Sequence, residues 1–90
     1  MDRRRVVITG LGAVTPVGLT AAESWQAVRS GVCGIGPITQ FDASSQKVSL
    51  AAEVKGFDAD ALLGKQEAKR MGRFTQFAMV SAREALADSG

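Results

Sequence analysis

The chain has 90 residues, 46% of them hydrophobic and 22% charged, so it forms at most one small globular domain rather than a disordered, collagen-like or coiled-coil protein. Its 11 lysines and arginines and 9 aspartates and glutamates are mixed along most of the chain, which argues against a nucleic-acid-binding protein. A single cysteine and no histidine exclude Cys-His and Ser-His catalytic pairs, most zinc sites and an internal disulfide within the chain, and favour a reducing compartment.

The first predicted element is a strand near the amino terminus. Val6–Ile8 are consecutive β-branched residues without polar alternation, which is typical of a parallel strand covered on both faces. Gly10 and Gly12 follow, where a close backbone approach is possible, and Pro16 ends any regular strand or helix. This segment therefore predicts a larger α/β body around it.

Two other interpretations of this segment are weaker. Arg3–Arg5 before an apolar run resemble a secretory signal, but Val6–Ile8 is shorter than an h-region of about 7–15 residues or a membrane span of about 20. The sequence from Gly10 to Thr15 partly matches a dinucleotide-binding fingerprint, but Thr15 occupies the third glycine position and no second strand ends in an acidic residue about 20 positions later. We expect a cytoplasmic protein without a membrane segment, nucleotide cofactor or metal.

The next predicted element is a helix. Residues 20–23, Thr-Ala-Ala-Glu, form a capping box and predict a helix that ends near Ser30. Its apolar stripe contains Ala21, Trp25 and Val28, and Trp25 is the predicted core anchor.

The middle of the chain combines loops with one strand. Residues 31–37 contain three glycines and a proline and predict a turn-rich connection, in which Cys33 lacks a histidine base and is interpreted as structural. Phe41 is expected to pack under a turn in which Asp42 bonds nearby amides. Apolar and polar residues alternate between 47 and 55, which predicts an edge or surface strand with one buried face.

A cluster of cations follows. Asp58 can cap a short helix that Gly64 stops, and a second short helical turn spans residues 65–70. Four basic residues lie within nine positions and are opposed only by Glu67. They are Lys65, Lys69, Arg70 and Arg73. Charge alone favours a solvated face over a docking site for an acidic partner.

The clearest helical pattern is the last. It spans Arg73 to Ser89, with Gly72 as the amino-terminal cap and Gly90 at the C′ position, where a further strand is expected to follow. Its apolar and small residues share one stripe: Phe74, Phe77, Ala78, Ser81, Ala82, Ala85 and Leu86.

Over its whole length and in order, the sequence resembles the condensing enzymes, specifically the class II β-ketoacyl-acyl carrier protein synthases of fatty acid synthesis. The matching segments are Arg4–Gly12, Thr15–Gly18, Trp25, Gly34–Ile35, Phe41–Ser44, Phe57–Asp58, Arg70–Met71, Arg73–Phe74 and Gln76–Ala78. No single segment is specific, but the ordered series is. The resemblance implies an α/β fold of the thiolase type, layered α-β-α-β-α and usually homodimeric, with residues 1–90 as the N-terminal segment of its N-terminal domain.

The resemblance also implies an activity. Enzymes of this family are acyltransferases that extend an acyl chain by decarboxylative Claisen condensation, using an acylated cysteine and two histidines. Those residues belong to later parts of such proteins, so the 90 residues are expected to contain no catalytic residue and to be inactive alone. Cys33 stands where the family commonly has serine or another small residue, while Gly72 replaces an aspartate and Phe77 a frequent tyrosine. These departures leave a polyketide ketosynthase as an alternative.

In the family, the surface corresponding to the basic cluster docks the acidic helix of acyl carrier protein. Lys69 and Arg70 align with that surface, and Lys65 and Arg73 are neighbours, so the resemblance changes the preferred interpretation from solvation to docking. A natural short protein that binds a carrier protein or a synthase without catalysis is the second hypothesis. Val6–Ile8 has no second parallel strand to pair with, which favours the first hypothesis, that the 90 residues are a segment of an acyltransferase of this family.

Overall fold

The computed structural model describes residues 3–90. The elements in chain order are α1 (Ala21–Arg29), β1 (Ile35–Pro37), β2 (Leu50–Ala52), α2 (Ala59–Leu63), α3 (Lys65–Lys69) and α4 (Arg73–Ser89). In this order the mixed α/β content matches the predicted class, and all four helices begin and end within a residue or two of where the sequence places them.

Helix α1 begins at the predicted capping box. The Thr20 hydroxyl accepts a hydrogen bond from the Glu23 amide at 3.1 Å and donates to the Glu23 carboxylate at 3.3 Å. In a complete capping box the Glu23 carboxylate would also accept a backbone amide. Here it accepts the Thr20 hydroxyl instead. Gly31 ends the helix with a φ of +73°, a conformation that glycine adopts without steric cost.

The described sheet has two antiparallel strands. Ile35 pairs with Ala52 and Pro37 with Leu50. The strand expected between 47 and 55 is therefore present only in its centre, as β2. The prediction of a turn-rich connection over residues 31–37 is wrong for β1, because pairing with a neighbouring strand outweighs the local turn preference of glycine and proline.

The amino-terminal segment crosses α4 at its two glycines. A Cβ on Gly10 would lie 2.7 Å from the Ser89 backbone nitrogen, and one on Gly12 would lie 2.9 Å from that of Ala85 and still closer to the Ser81 carbonyl oxygen. Only a residue without a side chain allows this crossing. The close approach that the sequence suggests at Gly10 and Gly12 is made to a helix of the same chain.

Carboxylates of α4 hold the same crossing. Asp88 accepts the Leu11 amide at 3.0 Å, and Glu84 accepts the Ala13 amide at 2.9 Å. Glu84 also accepts the amide of Ala21, the first residue of α1, at 3.0 Å. These turn and helix-end amides are the ones that a phosphate group would need, and they are bonded within the chain.

Burial within residues 3–90 is slight. Ala43, Leu63 and Ala68 are the buried apolar residues of this part of the chain. The accessible surface is 7134 Å², about 2,000 Å² more than a compact protein of this mass exposes. The radius of gyration is 16.5 Å, where about 12 Å is typical of 90 residues.

Several predicted core residues are exposed. Val6, Val7 and Ile8 are 92%, 70% and 81% exposed and form no strand, because the described residues offer them no strand partner. Trp25 is 60% exposed, so it is not a core anchor here, and Phe41 is also exposed rather than packed under its turn. The sequence pattern identifies these side chains as apolar, but it does not show which other residues would cover them.

Candidate docking surface

The four predicted site residues lie around the junction of α3 and α4. Lys65 is the first residue of α3, Lys69 is its last and Arg70 is its C-cap, while Arg73 begins α4. All four are exposed, and we call them the basic surface. Lys65 and Lys69 are four residues apart and share a helix face, as the sequence predicts.

Helix α3 is short and packs chiefly against α2. Gly64 precedes it with a φ of +89° and offers no side-chain cap, so the break between α2 and α3 depends on glycine. The Arg70 amide donates to the Glu67 carbonyl at 3.1 Å. Lys69 and Arg70 therefore lie at the negative end of the helix dipole, where cations are favoured.

Arg73 differs from the other three cations because it also contacts the fold. Its guanidinium donates to the Val54 carbonyl at 3.0 Å and lies 5.0 Å from the Phe77 ring centroid and 5.8 Å from that of Phe57. The two rings meet edge to face with centroids 4.9 Å apart. Cation–π contacts of this kind fix the side chain at the edge of the basic surface.

An open cleft of about 760 Å³ lies beside Arg73. Within it, the Glu53 carboxylate accepts bonds from the Thr39 hydroxyl at 2.8 Å and from the amides of Thr39 and Gln40 at 3.2 Å. The Thr39 hydroxyl, followed by these amides and Lys55, holds the pKa of Glu53 below its ordinary value, against a smaller opposing effect of desolvation. The carboxylate thus stays charged and ties the loop after β1 to the end of β2.

Lys55 serves a similar purpose nearby. Its ammonium donates to the Glu53 carbonyl at 2.9 Å, the Gly34 carbonyl at 3.0 Å and the Pro16 carbonyl at 3.4 Å. All three of its protons are directed at backbone carbonyls, so this cation joins three loops and is not part of the basic surface.

Cys33 is exposed, with its thiol 3.9 Å from the Ile35 carbonyl oxygen. Its interpretation as a structural residue stays a prediction. Residues 3–90 contain no group of three His, Cys, Asp or Glu side chains that could hold a metal ion. Across the same residues, none of the helices is both long enough and apolar enough to span a membrane.

Residues 3–90 match the protein family described as Beta-ketoacyl synthase, N-terminal domain. The chain belongs to the β-ketoacyl synthase family. This confirms the resemblance that the ordered motifs indicate.

Relatives of known function within the β-ketoacyl synthase family align along the whole chain. A 3-oxoacyl-[acyl-carrier-protein] synthase 2 from Coxiella burnetii is 50% identical over 90 residues, which are 100% of this chain and 22% of the relative. The Synechocystis sp. protein of the same name is 49% identical over 89 residues, 99% of this chain and 21% of its own length. The chain thus spans about a fifth of the length of these relatives.

The ishigamide ketosynthase/chain length factor is similar in structure as well. It superposes with a TM-score of 0.88 at 36% sequence identity, over 99% of this chain and 22% of its own. The predicted fold class, an N-terminal portion of the ketosynthase α/β fold, is therefore confirmed.

The sequence interpretation did not identify two kinds of contact residue in this β-ketoacyl synthase segment. Gln76 bonds carbonyls next to the basic surface, and Glu84 and Asp88 bond the amino-terminal turn. Gln76 gives no local signal. An acidic residue in the last turn of α4 is unfavourable for the helix dipole, and this anomaly could have indicated that Asp88 has a partner elsewhere.

Proposed function

We propose that the chain is the N-terminal part of a 3-oxoacyl-[acyl carrier protein] synthase II of fatty acid biosynthesis. The observation that carries this proposal is the identity of 46–50% to proteins of that name along almost the entire chain. The full-length enzyme would be cytoplasmic and homodimeric, and it would need no cofactor.

In the proposed reaction, an acyl group is first held as a thioester on an enzyme cysteine. Malonyl-acyl carrier protein then loses carbon dioxide, and the electron pair of the broken carbon–carbon bond attacks the acyl carbonyl carbon. The new carbon–carbon bond forms as the cysteine thiolate leaves, giving a 3-oxoacyl thioester two carbons longer. This chain has no histidine, and Cys33 has none beside it, so the nucleophile and the decarboxylating residues would come from outside these 90 residues.

The part of this function that we assign to the present residues is docking of acyl carrier protein. The basic surface of Lys65, Lys69, Arg70 and Arg73 is exposed and extends along the short helix α3 to the start of α4. An acidic helix of the carrier protein would meet complementary charge there, which chiefly sets the encounter rate and the register of the complex. Arg73 would contribute its charge from a fixed position, since it is bonded to Val54.

Charge reversal in the full-length enzyme tests the docking proposal. We expect Lys69→Glu with Arg70→Glu to raise KM for malonyl-acyl carrier protein on the order of tenfold at low salt, because two attractive charges become repulsive. The difference should shrink at 1 M salt, where the Debye length is about 3 Å. Condensation of coenzyme A thioesters, which lack the carrier protein, should be unchanged.

A matched control reverses two cations that are not part of the basic surface. Arg29 ends α1 and Lys47 lies in the loop before β2, and both are exposed. Reversing them changes the net charge equally and should leave the carrier KM close to wild type. Unchanged carrier kinetics in the Lys69 and Arg70 variant at low salt would refute the docking proposal.

A polyketide ketosynthase is the second candidate, because the structural relative carries a ketosynthase name outside the synthase 2 group. Its identity of 36% is lower than the 46–50% of the synthase 2 relatives, which favours the first candidate. Analysis of the products separates them: a single two-carbon extension per cycle supports fatty acid synthesis, and repeated extension without reduction supports polyketide synthesis. A non-catalytic carrier-binding protein is supported instead if the full-length native gene product forms no carbon–carbon bond.

A further inference from the structure

The amide of Gln76 brackets the two central residues of the basic surface. Gln76 is half-buried in the first turn of α4, and its Nε2 donates to the Ala68 carbonyl at 3.0 Å and to the Met71 carbonyl at 3.5 Å. These two carbonyls immediately precede and follow Lys69 and Arg70 in the chain. One side chain from another helix thus holds the backbone on both sides of the two cations.

The backbone that Gln76 holds belongs to a short helix that packs on α2 and has no side-chain cap. Helix α3 has five residues, far fewer than an isolated helix needs to be stable in water, and its amino-terminal cap is a glycine without a side-chain bond. Ala68 is its only buried residue among those described. Helix α3 packs chiefly against α2, and the bonds from Gln76 are side-chain contacts that tie its carboxyl end to α4 as well.

We propose that Gln76 is a positioning residue for carrier-protein docking, which holds Lys69 and Arg70 in the geometry that the partner binds. This inference rests on the proposed function of the basic surface. Gln76 itself does not touch the partner. Without its amide, the Ala68 carbonyl keeps the Met71 amide as a donor and the Met71 carbonyl loses its donor from α4, so the backbone that carries Lys69 and Arg70 is less restrained. The complex then bears the entropy cost of ordering the two cations when it forms.

The test uses the full-length enzyme with Gln76→Met, which keeps the length of the side chain but removes its amide. We expect KM for malonyl-acyl carrier protein to rise about two- to tenfold, the range that corresponds to one hydrogen bond. The kcat with carrier substrate and the kcat/KM with coenzyme A thioesters should stay unchanged. A purely structural role would lower both activities. Gln26→Met, on the exposed face of α1, is the matched control and should alter none of these values.

A double-mutant cycle with Lys69→Glu and Arg70→Glu separates the inference from the function on which it rests. If Gln76 acts through these two cations, Gln76→Met should add no further increase in KM to the charge-reversed enzyme. An additive increase overturns the inference, as does an unchanged KM for Gln76→Met alone when charge reversal raises KM. If charge reversal itself has no effect, the docking proposal fails and the inference fails with it.

Gln76→Asn supplies the same readouts if Gln76→Met does not fold. It keeps an amide but shortens the side chain by one methylene, so the amide no longer reaches both carbonyls. We expect a smaller rise in the carrier KM, again without change in the coenzyme A thioester reaction. An Asn variant with wild-type carrier KM overturns the inference.

Discussion

Two regions pack against α4, the amino-terminal segment of residues 3–18 and the region of residues 54–71, and they do so in different ways. The amino-terminal segment contacts α4 through its backbone. Its two glycines lie close to the helix because they have no Cβ atoms, and its amides donate hydrogen bonds to the carboxylates of Glu84 and Asp88. Its apolar side chains at Val6–Ile8 point to no described neighbour and stay exposed.

The region of residues 54–71 contains Leu63 and Ala68, two of the buried apolar residues. Side chains of α4 donate to its carbonyls: Arg73 to Val54, Gln76 to Ala68 and Arg83 to Leu62 at 3.2 Å. This region thus contacts α4 through side chains, and the cations of the basic surface within it are exposed.

The comparison shows which of the two regions is supported by the described residues and which has apolar side chains that they leave uncovered. The basic surface belongs to a region with local support, as a site that meets a separate partner in solution requires. Val6–Ile8 belongs to a region whose apolar surface is uncovered, and we expect residues outside this chain to cover it in the full-length protein. The exposed area, about 2,000 Å² above that of a compact protein, is of the size expected for such a missing neighbour.

The largest loss of stability should come from a Cβ placed where the amino-terminal segment crosses α4. Gly12→Ala places a Cβ against the Ser81 carbonyl and 2.9 Å from the Ala85 nitrogen, so the segment or the helix must move. We expect the free energy of unfolding of the full-length protein to fall by about 1–3 kcal/mol, measured by urea denaturation.

Gly36→Ala is the control for this prediction, since a Cβ there meets nothing within 4 Å and the φ is not in the left-handed region. Its effect should stay within about 0.5 kcal/mol. Equal effects of the two substitutions would mean that the crossing is not a tight contact in solution, and the contrast between the two regions would lose its basis.

A smaller effect is expected from the carboxylate that joins the segment to α1. Glu84→Gln keeps one oxygen acceptor but removes the charge that the Ala13 and Ala21 amides face, and the new amide group opposes them as a donor. We expect a loss of about 1–2 kcal/mol in unfolding free energy, less than the about 1.5–3 kcal/mol of a hydrogen bond to a charged group, because one oxygen acceptor remains. Glu67→Gln, on the exposed face of α3, should change stability by only a few tenths of a kcal/mol. A neutral result for Glu84→Gln would show that Glu84 does not hold the crossing, which would then rest on the glycine packing and the Asp88 bond to the Leu11 amide.

The sequence was sufficient for the helices because their signals are local. The capping residues Thr20 and Asp58 and the breaks at Gly31 and Gly64 all lie within a turn of the ends that they specify. Strands depend on partners instead. Val6–Ile8 has the composition of a strand but no partner among the described residues, whereas β1 has the composition of a loop and becomes a strand by pairing with β2.

The candidate site shows the same division between local and long-range information. The cations are visible in the sequence, and their exposure follows from their spacing on α3 and at the start of α4. Gln76 gives no comparable signal, because its bonds reach the end of a different helix and depend on how α3 and α4 meet. Glu84 and Asp88 bond residues more than 60 positions away, and only the unfavourable place of Asp88 in the last turn of α4 was visible in advance.

The smallest expected effect concerns pH and the tie between β1 and β2. Hydrogen bonds from Thr39 and Gln40 lower the pKa of Glu53 in the folded protein, so the charged form stabilises the fold. This contribution is complete above the ordinary glutamate pKa of about 4.3 and is lost as the pH falls through the lower folded value. Glu53→Gln should therefore reduce stability at pH 7 and have a smaller effect near pH 3.

Asp60→Asn is the control for this prediction. Asp60 lines the same cleft, but no hydrogen bond to its carboxylate is found within residues 3–90. Urea denaturation of the three proteins at both pH values measures the difference, and an effect of Glu53→Gln that does not vary with pH would mean that its charge does not hold the loop to the strand.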